Sequence, residues 1–172
     1  MTLKPASDRL LFLLDTVFRE GEHLAHTTQR LLPRPVDAAW VGALEEDADR
    51  AERLDAFVAR FSRMQDTLGD RLVPEMLRQM LETPGSALDN LNRLEKLGLL
   101  ASVVDWIEAR NLRNRLVHEY MRDPEEFAGA LNRARDLVPM LIDTFNAINR
   151  YAQEHFSGEG WPAKLRGPVY SS

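Results

Sequence analysis

The sequence predicts an all-α fold, an up-and-down helical bundle with additional short helices, and three observations carry the prediction. Apolar residues recur at steps of three and four over several long stretches, the spacing that gathers them on one helical face. Capping residues and Gly or Pro stops punctuate those stretches at intervals suited to helices of roughly 12 to 25 residues. No segment alternates polar and apolar residues with period two, and no hairpin dipeptide separates β-branched runs. With 172 residues, 44% of them hydrophobic, the chain has enough apolar material for one domain with a sizeable core.

Ser7 is placed to cap a first helix whose stripe is Leu10, Leu14, Val17 and Leu24, widened by Leu11, Phe18 and Ala25. Pro33 and Pro35 stop it, and residues 36–42 read as a short turn. A long amphipathic run follows, with Leu54, Phe57, Val58, Phe61, Met64 and Leu68 on one face. Gly69 and Pro74 predict a break or kink, beyond which Met76, Leu77, Met80 and Leu81 carry the period onward to a loop at Thr83-Pro84-Gly85. Ser86 with Asp89 forms a capping-box pattern that opens a helix through Leu88, Leu91, Leu94 and Leu97, ending at Gly98. Ser102 caps the next helix, with Val103, Ile107 and Leu116 among its apolar positions. Asp123-Pro124-Glu125-Glu126 combines an N-cap, a proline at the first helical position and first-turn acids, so the preceding helix ends near Tyr120. The last helix runs through Phe127, Leu131, Leu137, Leu141, Phe145 and Ile148, with a kink expected at Pro139. The expected domain is residues 1–156, followed by an extended or disordered tail over 157–172.

Composition removes several classes of function. Twenty-two Lys and Arg against 27 Asp and Glu leave a net charge of −5, which argues against nucleic-acid or anionic-membrane binding over the whole surface. No cysteine is present, which excludes a disulfide framework, a thiolate zinc site, an iron–sulfur cluster and a Cys nucleophile. Residues 1–8 mix Lys, Pro, Ser and Asp ahead of an apolar run confined to residues 10–14, so neither a signal peptide nor a transmembrane helix is expected. A cytoplasmic protein with no membrane partner is the expectation.

The chemistry concentrates in residues 106–122. Arg110, Arg113, Arg115 and Arg122 stand there against Glu108 and Glu119, a local net charge of +2 in an acidic chain. Arginine matches phosphate with a planar fork, histidine moves protons near neutral pH, and tyrosine adds a stacking face and a hydroxyl. On an ideal helix Arg113 and His118 point roughly 140° apart. Spacing alone therefore does not make them a pair; a fraying helix end, a long Arg reach or a two-fold interface would be needed. Arg113 and Tyr120, seven apart, share a face.

Arg113-Asn114-Arg115-Leu116-Val117-His118 resembles the motif of HEPN-domain ribonucleases: an Arg, a polar residue, and a His after a short spacer. With Glu119 and Tyr120 it extends to the Arg-four-His-any-Tyr form of the HepT-like toxins, and the resemblance covers about residues 5–156. It implies a metal-independent endoribonuclease toxin of a toxin–antitoxin pair, working without cofactor as a homodimer. Carried over, Arg113 would hold the scissile phosphate of RNA, His118 would transfer protons as the 2′-hydroxyl attacks, and Asn114 would position the pair. Arg110, Arg115 and Arg122 would add RNA contacts. An MntA-like nucleotidyltransferase antitoxin would add AMP to Tyr120, bringing charge and bulk into the cleft. The alternative is a non-catalytic helical partner of such a nucleotidyltransferase; a DNA-binding regulator is a third reading.

Other candidates are weaker. Arg60, Arg63, Gln65 and Asp66 can line the same cleft, or form a solvated salt-bridged face. His23 and His26 are three apart but have no third ligand at metal spacing, so no metal is expected. Residues 91–100 have the sound of a winged-helix phrase without wing strands. His155 reads as a terminal cap, and Trp161 as an exposed or partner-docking side chain. No Gly-rich phosphate loop, nucleophile elbow or His-Glu-x-x-His is present.

Overall fold

In the computed structural model, which describes residues 2–118 and 122–171, Ser7 accepts the Leu10 amide at 3.0 Å and opens α1, Asp8–Leu31. Leu10, Leu13, Leu14, Val17 and Leu24 are buried along it. Where a turn was expected, Asp37 caps a single helical turn, α2, Ala38–Gly42, by accepting the Trp40 amide at 2.8 Å. A 3-10 turn, Ala43–Glu46, follows, and Val41 and Leu44 anchor the pair in the core. The Asp37 cap and these two apolar anchors stabilise a helix too short to show a period.

Asp47 caps α3, Ala48–Thr67. Thr67 lies beside Glu20 and Arg60 beside Thr27, so α1 and α3 run antiparallel. The break or kink expected at Gly69 and Pro74 takes the form of a π-helical turn, Leu68–Leu72, which leads directly into α4, Val73–Gln79. A wider turn accommodates the amide hydrogen that Pro74 lacks without ending the helix. Gly69 has a second role: a Cβ there would lie 2.8 Å from Trp106 Cζ2, so only glycine lets that indole bury against the turn. After α4, the Leu81 amide bonds to Arg78 O and the Glu82 amide to Leu77 O, with Leu81 at φ +64°. This Schellman closure turns Leu81 outward, 82% exposed, so it does not extend the apolar stripe.

The Ser86–Asp89 capping box opens α5, Ala87–Lys96, which closes on Gly98 at φ +75°. Ser102 accepts the Asp105 amide at the start of α6, Val103–His118. The buried face of α6 is Val103, Trp106, Ala109, Leu112 and Leu116, whereas Ile107 is 41% exposed. Asp123 opens α7, Pro124–His155, and accepts the Glu125 and Glu126 amides. The four long helices α1, α3, α6 and α7 pack on one another as the bundle. Among the described residues no helix is long and apolar enough to cross a membrane.

Residues 157–171 are extended and packed on the bundle rather than lying outside it. Leu165, 2% exposed, sits where Gly21 leaves α1 without a side chain. Asn146 accepts the Leu165 amide at 2.8 Å and donates to its carbonyl at 2.9 Å. Asn149 donates to Pro162 O, and the Val169 amide donates to Gln29. Pro139 cannot donate to the carbonyl four residues back, which is that of Arg135, and the Tyr170 hydroxyl donates to that oxygen at 3.0 Å instead. Helix α7 continues through Pro139. The Arg135 guanidinium lies 3.8 Å from the Tyr170 ring centroid and donates to Leu32 O and Pro33 O. Trp161 is half-buried and donates to Gly158 O. A two-residue parallel ladder, β1 (Lys4–Pro5) with β2 (Phe156–Ser157), joins the start of the chain to the end of α7.

Candidate functional site

The motif of residues 113–118 occupies the last turns of α6, where its buried face meets α3 and α7 and its other face meets solvent. Antiparallel packing on α3 and the π turn aligns two cation–anion pairs. Arg113 Nη1 reaches Asp66 Oδ1 at 2.6 Å, and Arg110 Nη2 reaches Asp70 Oδ1 at 3.2 Å. Asp66 was legible as a cleft residue; Asp70 was not, because its alignment with Arg110 depends on the π turn. The Arg113 side chain is 31% exposed, and its other donors have no partner among the described residues. Asn114, Arg115 and Arg122 are exposed. His118 closes α6; its side chain, and all of Glu119 and Tyr120, lie outside the described residues.

The other candidates on α3 separate. Arg60 donates to Thr27 and to His23 O, on the α1 side. Arg63 is exposed and acts electrostatically on Glu20. Gln65 is buried and donates to Ala109 O. Glu20, which the sequence did not single out, accepts the Thr67 hydroxyl at 3.0 Å. Its burial pushes the carboxyl up from its ordinary range, against the Thr67 hydrogen bond and the charges of Arg63 and Arg71; the Asp66 charge adds to the rise. Only the fold brings α1 beside this end of α3, so no sequence spacing could have found it.

Glu108 does not serve the motif. It accepts two bonds from Arg133, at 2.6 and 2.8 Å, and this pairing holds its carboxyl below the ordinary range. Beneath the ion pairs, Gln65 Oε1, Trp106 Nε1 and Arg110 Nε are buried with no hydrogen-bond partner among the described residues. Beside the motif, Leu116 and Val117 of α6 and Val58, Ala59 and Ser62 of α3 line a shallow groove of about 300 Å³.

His23 and His26 are exposed, and among the described residues no three His, Asp or Glu side chains are placed to hold a metal ion. His155 stacks on Tyr151 at the end of α7, its Nδ1 2.9 Å from Tyr151 O. Residues 91–100 form a capped helix and its Gly98 exit, with no wing strands among the described residues. No family model, curated protein or solved structure matches the chain. The site therefore rests on its own geometry.

Proposed function

We propose that the protein is a metal-independent endoribonuclease that acts as a homodimer in the cytoplasm, as the toxin of a toxin–antitoxin pair. One observation carries the reading: Arg113 stands at the solvent end of α6 with one guanidinium nitrogen fixed by Asp66 and the rest of its fork unpaired among the described residues. A guanidinium held from one side and open on the other is arranged to receive a phosphate oxygen without losing its orientation. His118, five residues on, supplies proton transfer, and the second subunit brings its own Arg–His pair to a shared cleft. The dimer has a candidate contact beside the motif in the groove of Leu116, Val117 and Val58, with Val117 54% exposed. Asn114, Arg115 and Arg122 lie on the exposed side, where an RNA strand would run. An MntA-like nucleotidyltransferase would silence the site by transferring AMP to Tyr120.

The ion pairs also favour a second reading, a non-catalytic helical partner of a nucleotidyltransferase, because Asp66 and Asp70 partly neutralise the two arginines an RNA would need. One assay decides. Single-stranded RNA is incubated with wild type, His118→Ala and Arg113→Ala in excess chelator. The ribonuclease reading expects cleavage by wild type alone, leaving a cyclic phosphate end. Cleavage equal in all three, or absent from wild type, leaves the partner reading. A strict monomer at micromolar concentration in size-exclusion chromatography would overturn the shared-cleft mechanism.

A further inference from the structure

A second concentration of positive charge lies away from Arg113, at the junction of α1, α2 and α3. Arg30 from the last turn of α1, Arg34 from the following loop, and Arg50 and Arg53 from the first turns of α3 line a cavity of about 320 Å³ walled by Trp40. No carboxylate lines it. Asp66, Asp70, Glu82 and Glu108 hold partners for Arg113, Arg110, Arg93 and Arg133, whereas Arg30, Arg34 and Arg53 have no hydrogen bond or ion pair to any described residue. Arg50 is held in place, 5.3 Å over the Trp40 ring and 3.6 Å from Asp47.

Several carbonyls beside the cavity are already engaged by donors of the protein. A helix C-terminus normally presents bare carbonyls. Here Thr28 O is bonded by the Leu32 amide, Leu32 O by Arg135, and Pro33 O by Arg135 and the Ser171 amide. The adjoining cavity, which shares Arg30 and Arg53, contains Asp49 and Glu52, so the anion seat is confined to the first. Three exposed arginines with no ion-pair partner among the described residues make a local positive patch in a chain of net charge −5. The cavity is at the small end of ligand pockets, which run from about 300 Å³ upward, and its aromatic wall suits a base.

We propose that this cavity binds one phosphate-bearing nucleotide, free or as a unit of an RNA strand, with the phosphate among Arg30, Arg34 and Arg53 and the base against Trp40. The test uses the full chain and two probes: AMP, and a fluorescein-labelled 2′-O-methyl oligoribonucleotide, which has no free 2′-hydroxyl to attack. Wild type is compared with Arg34→Gln/Arg53→Gln, whose fold is checked by far-UV circular dichroism, and with Arg34→Gln alone as a milder variant. The expected result is binding of at least one probe, weakened about tenfold or more in the double variant, with a shallower salt dependence. Binding of both probes assigns the site to a nucleotide as such; binding of the oligonucleotide alone assigns it to a strand. Neither probe binding wild type at millimolar concentration, or both variants binding as wild type does, would overturn the proposal. Neither variant touches Arg113 or His118 and the RNA probe is uncleavable, so failure here leaves the ribonuclease reading standing, and the reverse holds as well.

Discussion

Gly21→Ala is the sharpest test of how the C-terminal segment is attached. The added Cβ would stand 2.3 Å from Leu165 Cδ2 and 3.1 Å from Met64 Cε. The methionine methyl is the free end of a flexible chain and can move, but Leu165 is 2% exposed and pinned by both hydrogen bonds to Asn146. Relief requires more than an ångström of displacement, so the leucine must leave its seat. Full loss of a buried leucine is worth about 1.5–3 kcal/mol. Alanine recovers about 1 kcal/mol over glycine inside a helix, which leaves a net loss of roughly 0.5–2 kcal/mol. For a chain of this size that lowers Tm by roughly 2–4 °C per kcal/mol. The assay is a double-mutant cycle by urea or thermal unfolding with Leu165→Ala. In the Leu165→Ala background the obstructing methyls are gone, and Gly21→Ala should become neutral or stabilising. If the two substitutions simply add, Leu165 does not occupy the Gly21 notch and the docked segment is refuted.

Three further outcomes follow from particular contacts. Tyr170→Phe should cost about 1 kcal/mol in urea unfolding, because the Arg135 carbonyl loses its donor; in a Pro139→Ala background, where the helix supplies an amide, the cost should shrink. Glu20→Gln should raise Tm at pH 7. Burial raises this carboxyl's native value, so its ionisation opposes folding and stability falls as pH rises through that value; the gain should vanish below about pH 4, where the carboxyl is protonated in both states. Leu81→Gly should stabilise by up to about 1 kcal/mol, since the left-handed backbone costs a side-chain-bearing residue about 1–2 kcal/mol while glycine's extra unfolded entropy returns part of it, and Leu81→Val should do the opposite in the same thermal scan.

The parts of the fold legible in the sequence are those governed by neighbours along the chain. Ser7, the Ser86–Asp89 box and Asp123-Pro124 act within one turn, and each cap forms as its residues predict. The stripes of α1, α3 and α7 are long enough for their period to be unambiguous. Expectations that failed are those in which a distant partner decides. Ile107 fits the helical period, but the face that α3 and α7 cover is set by Trp106 entering the space over Gly69. Pro74 signals a break or a kink in any local reading, and which of the two forms is decided by the π turn that keeps the chain helical. For the site, Arg113, Asn114 and the α6 setting are readable in the motif, but the partner of each arginine is not, since Asp66 and Asp70 lie 47 and 40 positions away.

By itself, then, the sequence determined an all-α chain, the caps and stops of its long helices, and a basic stretch on an acidic protein, because helical period, capping and charge are local properties. Tertiary structure alone decided that residues 157–171 are part of the packed unit, that Glu20 is partly buried against Thr67 within the influence of Asp66, and that Arg30, Arg34 and Arg53 line one cavity with no ion-pair partner among the described residues. Those outcomes depend on which helices lie antiparallel and on a missing side chain at Gly21. Burial and pairing are properties of what surrounds a residue in space, which spacing along one chain does not contain.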